Sequence, residues 1–297
     1  MNSQQPVRVL VAGATGTLGR ALIPVLSNRG REVVALARPA SQGRLESLSG
    51  HIKEVVTAEV TEPDIPASIF EGVHSVISSI GITRQRDGLS YDDVDFGGNL
   101  NLLRAAEQSG VQRFVYVSVV GVDQEVNVPG LKAKRRFEEV LVDSTLEWQI
   151  VRPSGFFTDI ADFLAMARRG TVHLFGNGRS RISPIHPTDL SEAIVDRLEA
   201  KPRTIVSVGG PADFTWDEIA ELCCRVTGRR CRIRHWPESL LQLALAITRV
   251  LSRPTYGTLS FLVHVMTSDT TARNYGSRGL EAFLKAQQEA DQQVHTD

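Results

Sequence analysis

The chain has 297 residues, 42% of them hydrophobic and 23% charged, with a net charge of −1. That balance is ordinary for a soluble globular protein, and the length suits one large α/β domain with a smaller appendage. The near-zero charge gives no argument for nucleic acid or an anionic membrane as a partner. The polar stretch Met1 to Pro6 leaves no room for a signal or transit peptide, and no apolar run is long enough for a membrane-spanning helix. The cytoplasm is the expected compartment. Cys223, Cys224 and Cys231 fit neither a zinc spacing nor a disulfide framework, and read as free thiols in a reducing compartment.

The first apolar run, Val7 to Val11, reads as a buried strand. It leads into Gly13-Ala14-Thr15-Gly16-Thr17-Leu18-Gly19, after which Leu18, Ala21, Leu22, Val25 and Leu26 recur at helical spacing. Strand, glycine turn and helix start are the parts of a dinucleotide phosphate site. Gly13 permits the turn, Gly16 lets backbone approach a pyrophosphate, and Gly19 lets helix and strand pack. Thr15, Thr17 and Leu18 complete the phosphate-facing turn, where the helix N-terminus offers unpaired N–H groups. A second strand over 32–37 ends in Arg38, about twenty residues beyond the glycines, where a carboxylate would take the 2′-hydroxyl of NAD and an arginine suits the 2′-phosphate of NADP. With Arg38 there, Arg44 close by and no carboxylate, NADP(H) is the expected cofactor.

Further strands are expected over 52–57, 73–78, 114–120 and 148–151, with helices over 92–109 and 131–142. This alternation argues for a doubly wound parallel sheet. Ser118 stands toward the end of the almost wholly apolar fifth strand, where such sheets open their ligand crevice. From Ser154 the pattern changes. Gly155-Phe156-Phe157 opens an irregular stretch, followed by a helix over 163–168 and short strands over 171–175 and 182–185. A helix over 187–200 and a strand over 205–208 return to the main sheet. Thr215-Trp216-Asp217-Glu218 is a capping-box signature, and the remainder reads as mainly helical with a polar tail after 287. The fold expected is therefore α/β: a Rossmann-like doubly wound parallel sheet (1–152 and 187–208), a small, mostly helical substrate-covering lobe (153–186 and 209–286) and a tail (287–297).

Two late helices, 240–251 and 258–266, are rich in Leu, Ile and Val. Packing the core of the small lobe, or a subunit interface, is the default reading. Lining a lipophilic pocket, serving as its lid, or resting on a membrane face are the alternatives. His51, His74, His173, His235, His264 and His295 lack metal-ligand spacing, so no metal is expected. His186 and Asp189, at a helix start, read as structural, and so does Arg152 at its strand end.

Several segments together resemble the short-chain dehydrogenase/reductase superfamily. They are the glycine turn, Asn99-Leu100-Asn101-Leu102-Leu103-Arg104-Ala105-Ala106, Gly110-Val111-Gln112-Arg113-Phe114-Val115-Tyr116-Val117-Ser118, Ile150-Val151-Arg152-Pro153-Ser154-Gly155-Phe156-Phe157 and Pro184-Ile185-His186-Pro187-Thr188-Asp189-Leu190. The resemblance is to the atypical, NmrA-like branch, with its isoflavone-reductase-like and divinyl-chlorophyllide-reductase-like proteins, and it runs from Val7 to about Leu198. It implies a tyrosine four residues before a lysine, with a serine on the fifth strand. Aligning on Lys134 puts Gly130 where the tyrosine belongs. Tyr116 falls within the preceding strand, no other tyrosine is expected nearby, and Asp95 replaces the superfamily's helix asparagine.

Isoflavone-reductase-like members also lack the tyrosine. The resemblance to them makes Lys134 the general acid/base and ribose ligand, a role that partial burial would assist by lowering its pKa. The alternative gives Lys134 only the ribose hydroxyls. Ser118 is the second catalytic candidate, touching substrate or ribose, or else it serves a local backbone group. Ile80 and Gly81 are expected beside the adenosine half of the cofactor, and Pro153 and Phe156 beside the nicotinamide. The activity implied is NADPH-dependent reduction of a carbonyl or activated double bond in a small apolar molecule. A non-catalytic NADP(H)-binding sensor, regulator or assembly factor is the alternative, and the oligomeric state stays open.

Overall fold

A computed structural model describes residues 7–82, 88–124 and 127–294. Met1 to Pro6 and His295, both used above, lie outside the described residues. The chain divides into two compact units, one of Met1–Asp123, Gly130–Arg152 and Leu190–Val206, the other of Gln124–Pro129, Pro153–Asp189 and Ser207–Asp297.

In the first unit, β1 (Arg8–Ala12), α1 (Thr17–Asn28), β2 (Glu32–Ala37) and β3 (Glu54–Thr57) are followed by β4 (Val73–Ser78), α2 (Asn99–Gln108) and β5 (Arg113–Val117). Then come α3 (Pro129–Val142) and β6 (Glu147–Pro153). The second unit adds α4 (Phe157–Arg168), β7 (Thr171–Phe175) and β8 (Arg181–Ile182). These precede α5 (Pro187–Arg197) and β9 (Thr204–Gly209), which carry the chain through the first unit and back. The rest is β10 (Phe214–Thr215), α6 (Trp216–Thr227), β11 (Arg232–Trp236), α7 (Glu238–Leu251), α8 (Arg253–Thr267), β12 (Arg273–Asn274) and α9 (Leu280–Val294).

The eight-stranded parallel sheet has the order β12-β9-β6-β5-β4-β1-β2-β3. This is the Rossmann-like sheet that the alternation of elements predicted. Its order reverses at β1, whose neighbours are β2 and β4, and a ligand crevice opens at the carboxyl ends of strands at such a switch point. Between the sheet and its helices Leu10, Val34, Val76, Leu102, Phe114, Tyr116, Phe137 and Ile150 form one buried cluster. A second cluster, with Phe157, Leu164, Leu174, Trp216, Ile219 and Leu284, is the core of the second unit.

Several boundaries differ from expectation for local reasons. The expected helix over 92–109 splits into a π-helical segment, Asp92–Gly98, and α2. Asn99 Nδ2 donates to the carbonyl of Asp95 at 2.9 Å, a side chain inserted into the backbone ladder. β5 stops at Val117, not Val120. Ser118 N–H still reaches the carbonyl of Val151 at 2.8 Å, but Gly121, at φ +85°, turns the chain away. The strand expected over 182–185 ends at Ile182, since Pro184 has no N–H for a ladder. α4 begins at Phe157, inside the stretch expected to be irregular, where the Asp159 carboxylate accepts the Phe156 N–H at 3.4 Å. β11, expected to be helical, pairs in parallel with β7. α9 runs on through the stretch read as tail, with Arg168 Nε donating to Gln288 Oε1 at 2.7 Å and Arg168 paired to Asp291.

The capping box is present as expected: Thr215 Oγ1 accepts from Glu218 N–H at 3.2 Å, and Glu218 Oε2 accepts from Thr215 N–H at 2.7 Å. The cysteines correct the sequence reading. Gly228, at φ +66°, ends α6 and doubles the chain back, so that Cys224 and Cys231 stand 5.8 Å apart at Cα and are joined in a disulfide. Cys223 is the free, buried one, its thiol pushed up to about 12 by burial. Of the two apolar helices, α8 buries Val263 and Met266 as core packing requires, whereas α7 buries only Leu241. No described helix is long and apolar enough to cross a membrane.

Candidate functional site

The glycine turn lies at the carboxyl end of β1. Gly13 is at φ +80°, and a side chain there would meet Ser79 Oγ at 2.7 Å. Ser79, just past β4, ties the two strand ends together by donating both its N–H and its hydroxyl to the Ala12 carbonyl, each at 3.0 Å. A side chain on Gly19 would fall on the Gly13 carbonyl. Gly16 donates to that carbonyl at 3.0 Å and caps α1 in extended conformation, with no side-chain cap and no acidic residue in the first turn. Thr15 is half-buried, Gly16 and Thr17 are exposed, and Leu18 points into the core, so Leu18 has only backbone to offer a ligand. The result is a backbone cradle at a helix N-terminus that a Cβ would fill. It fits the pyrophosphate of a dinucleotide. Arg38 and Arg44 are exposed just beyond the end of β2.

A second group of residues lies on α3 and the elements facing it. Gly130, Lys134, Phe137, Glu138 and Leu141 share one side of the helix. Lys134 Nζ is 3.1 Å from Asp95 Oδ1 and 5.4 Å from the centroid of the Tyr116 ring. Asp95 is 1% exposed and also accepts the Ile82 N–H at 2.9 Å. The backbone past β4 runs directly over this pair: a side chain on Gly81 would lie 2.8 Å from Asp95 Oδ1 and 3.0 Å from Lys134 Nζ. The ring of Tyr91 lies against Gly130, 3.1 Å from where a side chain there would begin. Two rungs therefore join the π-helical region to α3, Tyr91 on Gly130 and Asp95 on Lys134, each rung four residues from the next. Asn99 holds the base of this arrangement, accepting from Ser78 Oγ at 2.5 Å.

Two expectations are corrected here. Tyrosines do stand close by: Tyr91 fills the space at Gly130, and Tyr116 faces Lys134 and packs edge-on against Phe137 with centroids 4.6 Å apart. Nor is the Lys134 pKa lowered. Burial is the largest influence and pushes it down, but Tyr116 and Asp95 outweigh burial, and the net direction is up from 10.5. Burial drives the Tyr116 phenol upward from 10.0. Burial also pushes Asp95 up, opposed by Lys134 and the Ile82 N–H.

Ile80 is buried, its carbonyl accepting from Asn99 Nδ2 at 3.4 Å. Ser118 is 4% exposed, and its Oγ has no hydrogen-bond partner among the described residues. Pro153 and Phe156 belong to the second unit, where Pro153 is buried and Phe156 is half-buried and bridged to Ile185. The first unit thus gathers the glycine turn, Arg38, Ile80, Gly81, Ser118 and Lys134 along the carboxyl edge of its sheet. The two remaining candidates lie in the other unit.

Arg152 is engaged by Glu138 at 2.6 and 3.1 Å and by Asp123 at 2.9 Å, a structural network. Asp189 is fully buried, accepts the N–H groups of Ser277 and Arg278 at 3.2 and 3.1 Å, and pairs with the Arg278 guanidinium. The second unit also holds a cavity of about 410 Å³ between α7 and α8, lined by Leu245, Val263, Gln242, Arg249, Tyr256 and His264 among others. Among the described residues, no group of three or more His, Cys, Asp or Glu is placed to hold a metal.

Residues 13–200 match the family described as NAD(P)H-binding. The chain is 27% identical over 246 residues to the photosystem II assembly factor Ycf39 of Synechocystis sp., covering 82% of this chain and 74% of that protein. It is 30% identical over 263 residues to the chloroplastic divinyl chlorophyllide a 8-vinyl-reductase of Oryza sativa subsp. indica, covering 82% of this chain and 65% of that one. Among solved structures, the NADPH-dependent quinone oxidoreductase QOR2 of Escherichia coli, complexed with NADPH, superposes with a TM-score of 0.73 at 17% identity over 94% of this chain and 99% of its own. The triphenylmethane reductase of Citrobacter sp. gives 0.76 at 16% identity over 95% and 99%. At those identities the structures speak for the fold.

Proposed function

The chain belongs to the NAD(P)H-binding family, within the atypical, NmrA-like short-chain dehydrogenase/reductases, and from that premise we propose that it is an NADPH-dependent reductase. Its substrate is a small, mainly apolar organic molecule with a carbonyl or activated double bond. The observation that carries this reading is the Lys134–Asp95 pair, an ammonium held charged at the carboxyl edge of the sheet beside a glycine with no room for a side chain. When bound, the reduced nicotinamide supplies the hydride.

Lys134 holds the ribose hydroxyls and presents a fixed positive charge to the negative charge that develops on the substrate. Its raised pKa suits an electrostatic and hydrogen-bonding role, not that of a neutral base. Ser118, buried and with an unused hydroxyl, is the second donor. Arg38 binds the 2′-phosphate and sets the preference for NADPH.

One observation favours a second reading, that of a cofactor-binding sensor or assembly factor. Gly130 stands at the position of the superfamily's tyrosine, and a similar protein is named as an assembly factor. The test is NADPH oxidation by the purified chain against enones, quinones, ketones and imines, beside Lys134→Met. Acceptor-dependent turnover that falls in the variant, with NADPH still bound, supports the reductase. Tight NADPH binding without turnover of any acceptor supports the sensor.

A further inference from the structure

We propose that α7 docks this chain onto an anionic bilayer surface. Leu240, Leu243, Ile247, Val250 and Leu251 recur at helical spacing and form one outward stripe, with Val250 and Leu251 85% and 77% exposed. A contiguous apolar face of this kind marks an interaction surface, whereas scattered single exposures are ordinary. Trp236, 43% exposed, stands just before the helix, the position of an aromatic anchor at a membrane–water boundary.

Charge selects the occupant. Between positions 229 and 253 the chain carries Arg229, Arg230, Arg232, Arg234 and Arg253, all exposed, beside Arg249 on the cavity side of α7, with Glu238 as the sole acidic residue, in a chain whose net charge is −1. The arginines flank the apolar stripe on both sides in sequence, the arrangement of a helix that lies in the interface plane of an anionic bilayer. The helix has 14 residues, too few to cross the hydrocarbon layer. A second copy of this chain suits the face poorly, because a two-fold contact would bring two arginine-rich segments together.

The test is flotation of the full chain with vesicles of phosphatidylcholine alone and of phosphatidylcholine mixed with phosphatidylglycerol. The expected result is binding roughly tenfold tighter to the anionic vesicles, weakened by salt. Val250→Asp and Ile247→Asp should abolish it without changing the unfolding temperature, and the pair R232E and R234E should remove the anionic preference. Failure of the wild type to float with anionic vesicles would overturn the proposal, as would flotation undiminished in Val250→Asp. A dimer in solution that Val250→Asp dissolves, without vesicle binding, would give the face to a second copy. Wild-type capture by an acidic protein, without vesicle binding, would give it to that partner.

Discussion

The buried carboxylate of Asp95 and the partly buried ammonium of Lys134 form an ion pair, their Oδ1 and Nζ atoms 3.1 Å apart. Removing either partner strands the other. Asp95→Asn and Lys134→Met should each destabilise the chain by roughly 3 kcal/mol. The double variant should cost less than the sum, with a coupling on the order of 1–3 kcal/mol. Urea unfolding of the four chains measures this directly, and strict additivity would mean the pair contributes nothing as a pair.

The direction of the Lys134 shift fixes a pH dependence. A group whose native pKa is raised contributes stability that is complete below its ordinary value, here 10.5, and is lost as pH rises through the native one. Turnover should therefore show no alkaline limb from Lys134 between about pH 7 and 9, and Asp95→Asn should bring that limb downward. A wild-type break in that window, lost in Lys134→Met, would mean that the lysine titrates there.

Gly81→Ala tests how tightly the site is built. The added methyl would lie 2.8 Å from Asp95 Oδ1 and 3.0 Å from Lys134 Nζ, so the pair or the backbone must shift. A displacement of that size should lower kcat roughly 10- to 100-fold. NADPH affinity measured beside it separates misplacement from loss of the cofactor.

Arg38→Ala should weaken NADPH binding by about 10- to 100-fold, the worth of a charge-assisted contact to phosphate, and leave NADH binding nearly unchanged. Fluorescence titration with both nucleotides reads the ratio. Equal losses for the two would remove the 2′-phosphate from the role of Arg38.

The Cys224–Cys231 bridge closes a short loop between α6 and β11. By the entropy of closing so small a loop, its reduction should cost about 2 kcal/mol of stability. Thermal unfolding with and without a thiol reductant should show a drop of a few degrees, and Cys224→Ser should behave as the reduced chain does.

The sheet and the phosphate turn were legible in the sequence because their signals are local: an apolar run, glycines at fixed offsets and a helical stripe lie within twenty-five residues of one another. Lys134 was singled out by the resemblance to the dehydrogenase/reductase superfamily, with its register on α3 in support. Its partners were harder to see. Asp95 and Tyr116 reach it from two separate elements, the π-helical segment and β5, and Asp95 by its type alone gives no sign that it is buried. The error in the direction of the Lys134 pKa followed from this, since burial without a paired carboxylate does lower a lysine. The disulfide was missed because an odd number of cysteines argues against a framework, while the turn at Gly228 that brings two of them together is conformational. The exposed stripe of α7 has the same periodicity as a core-facing helix, and periodicity alone does not say which side meets water.

The π-helical segment Asp92–Gly98 carries a consequence for how this site varies. Such a segment differs from an α-helix by a single added residue. Because the wider winding absorbs that residue, Tyr91 and Asp95 face α3 together although four residues separate them, much as residues three apart do in an ordinary helix. Deleting one residue between them would be taken up by a return to ordinary winding and would leave both side chains on the same face. The two rungs are therefore tolerant of a change of length here, and sensitive instead to what stands at the rungs themselves.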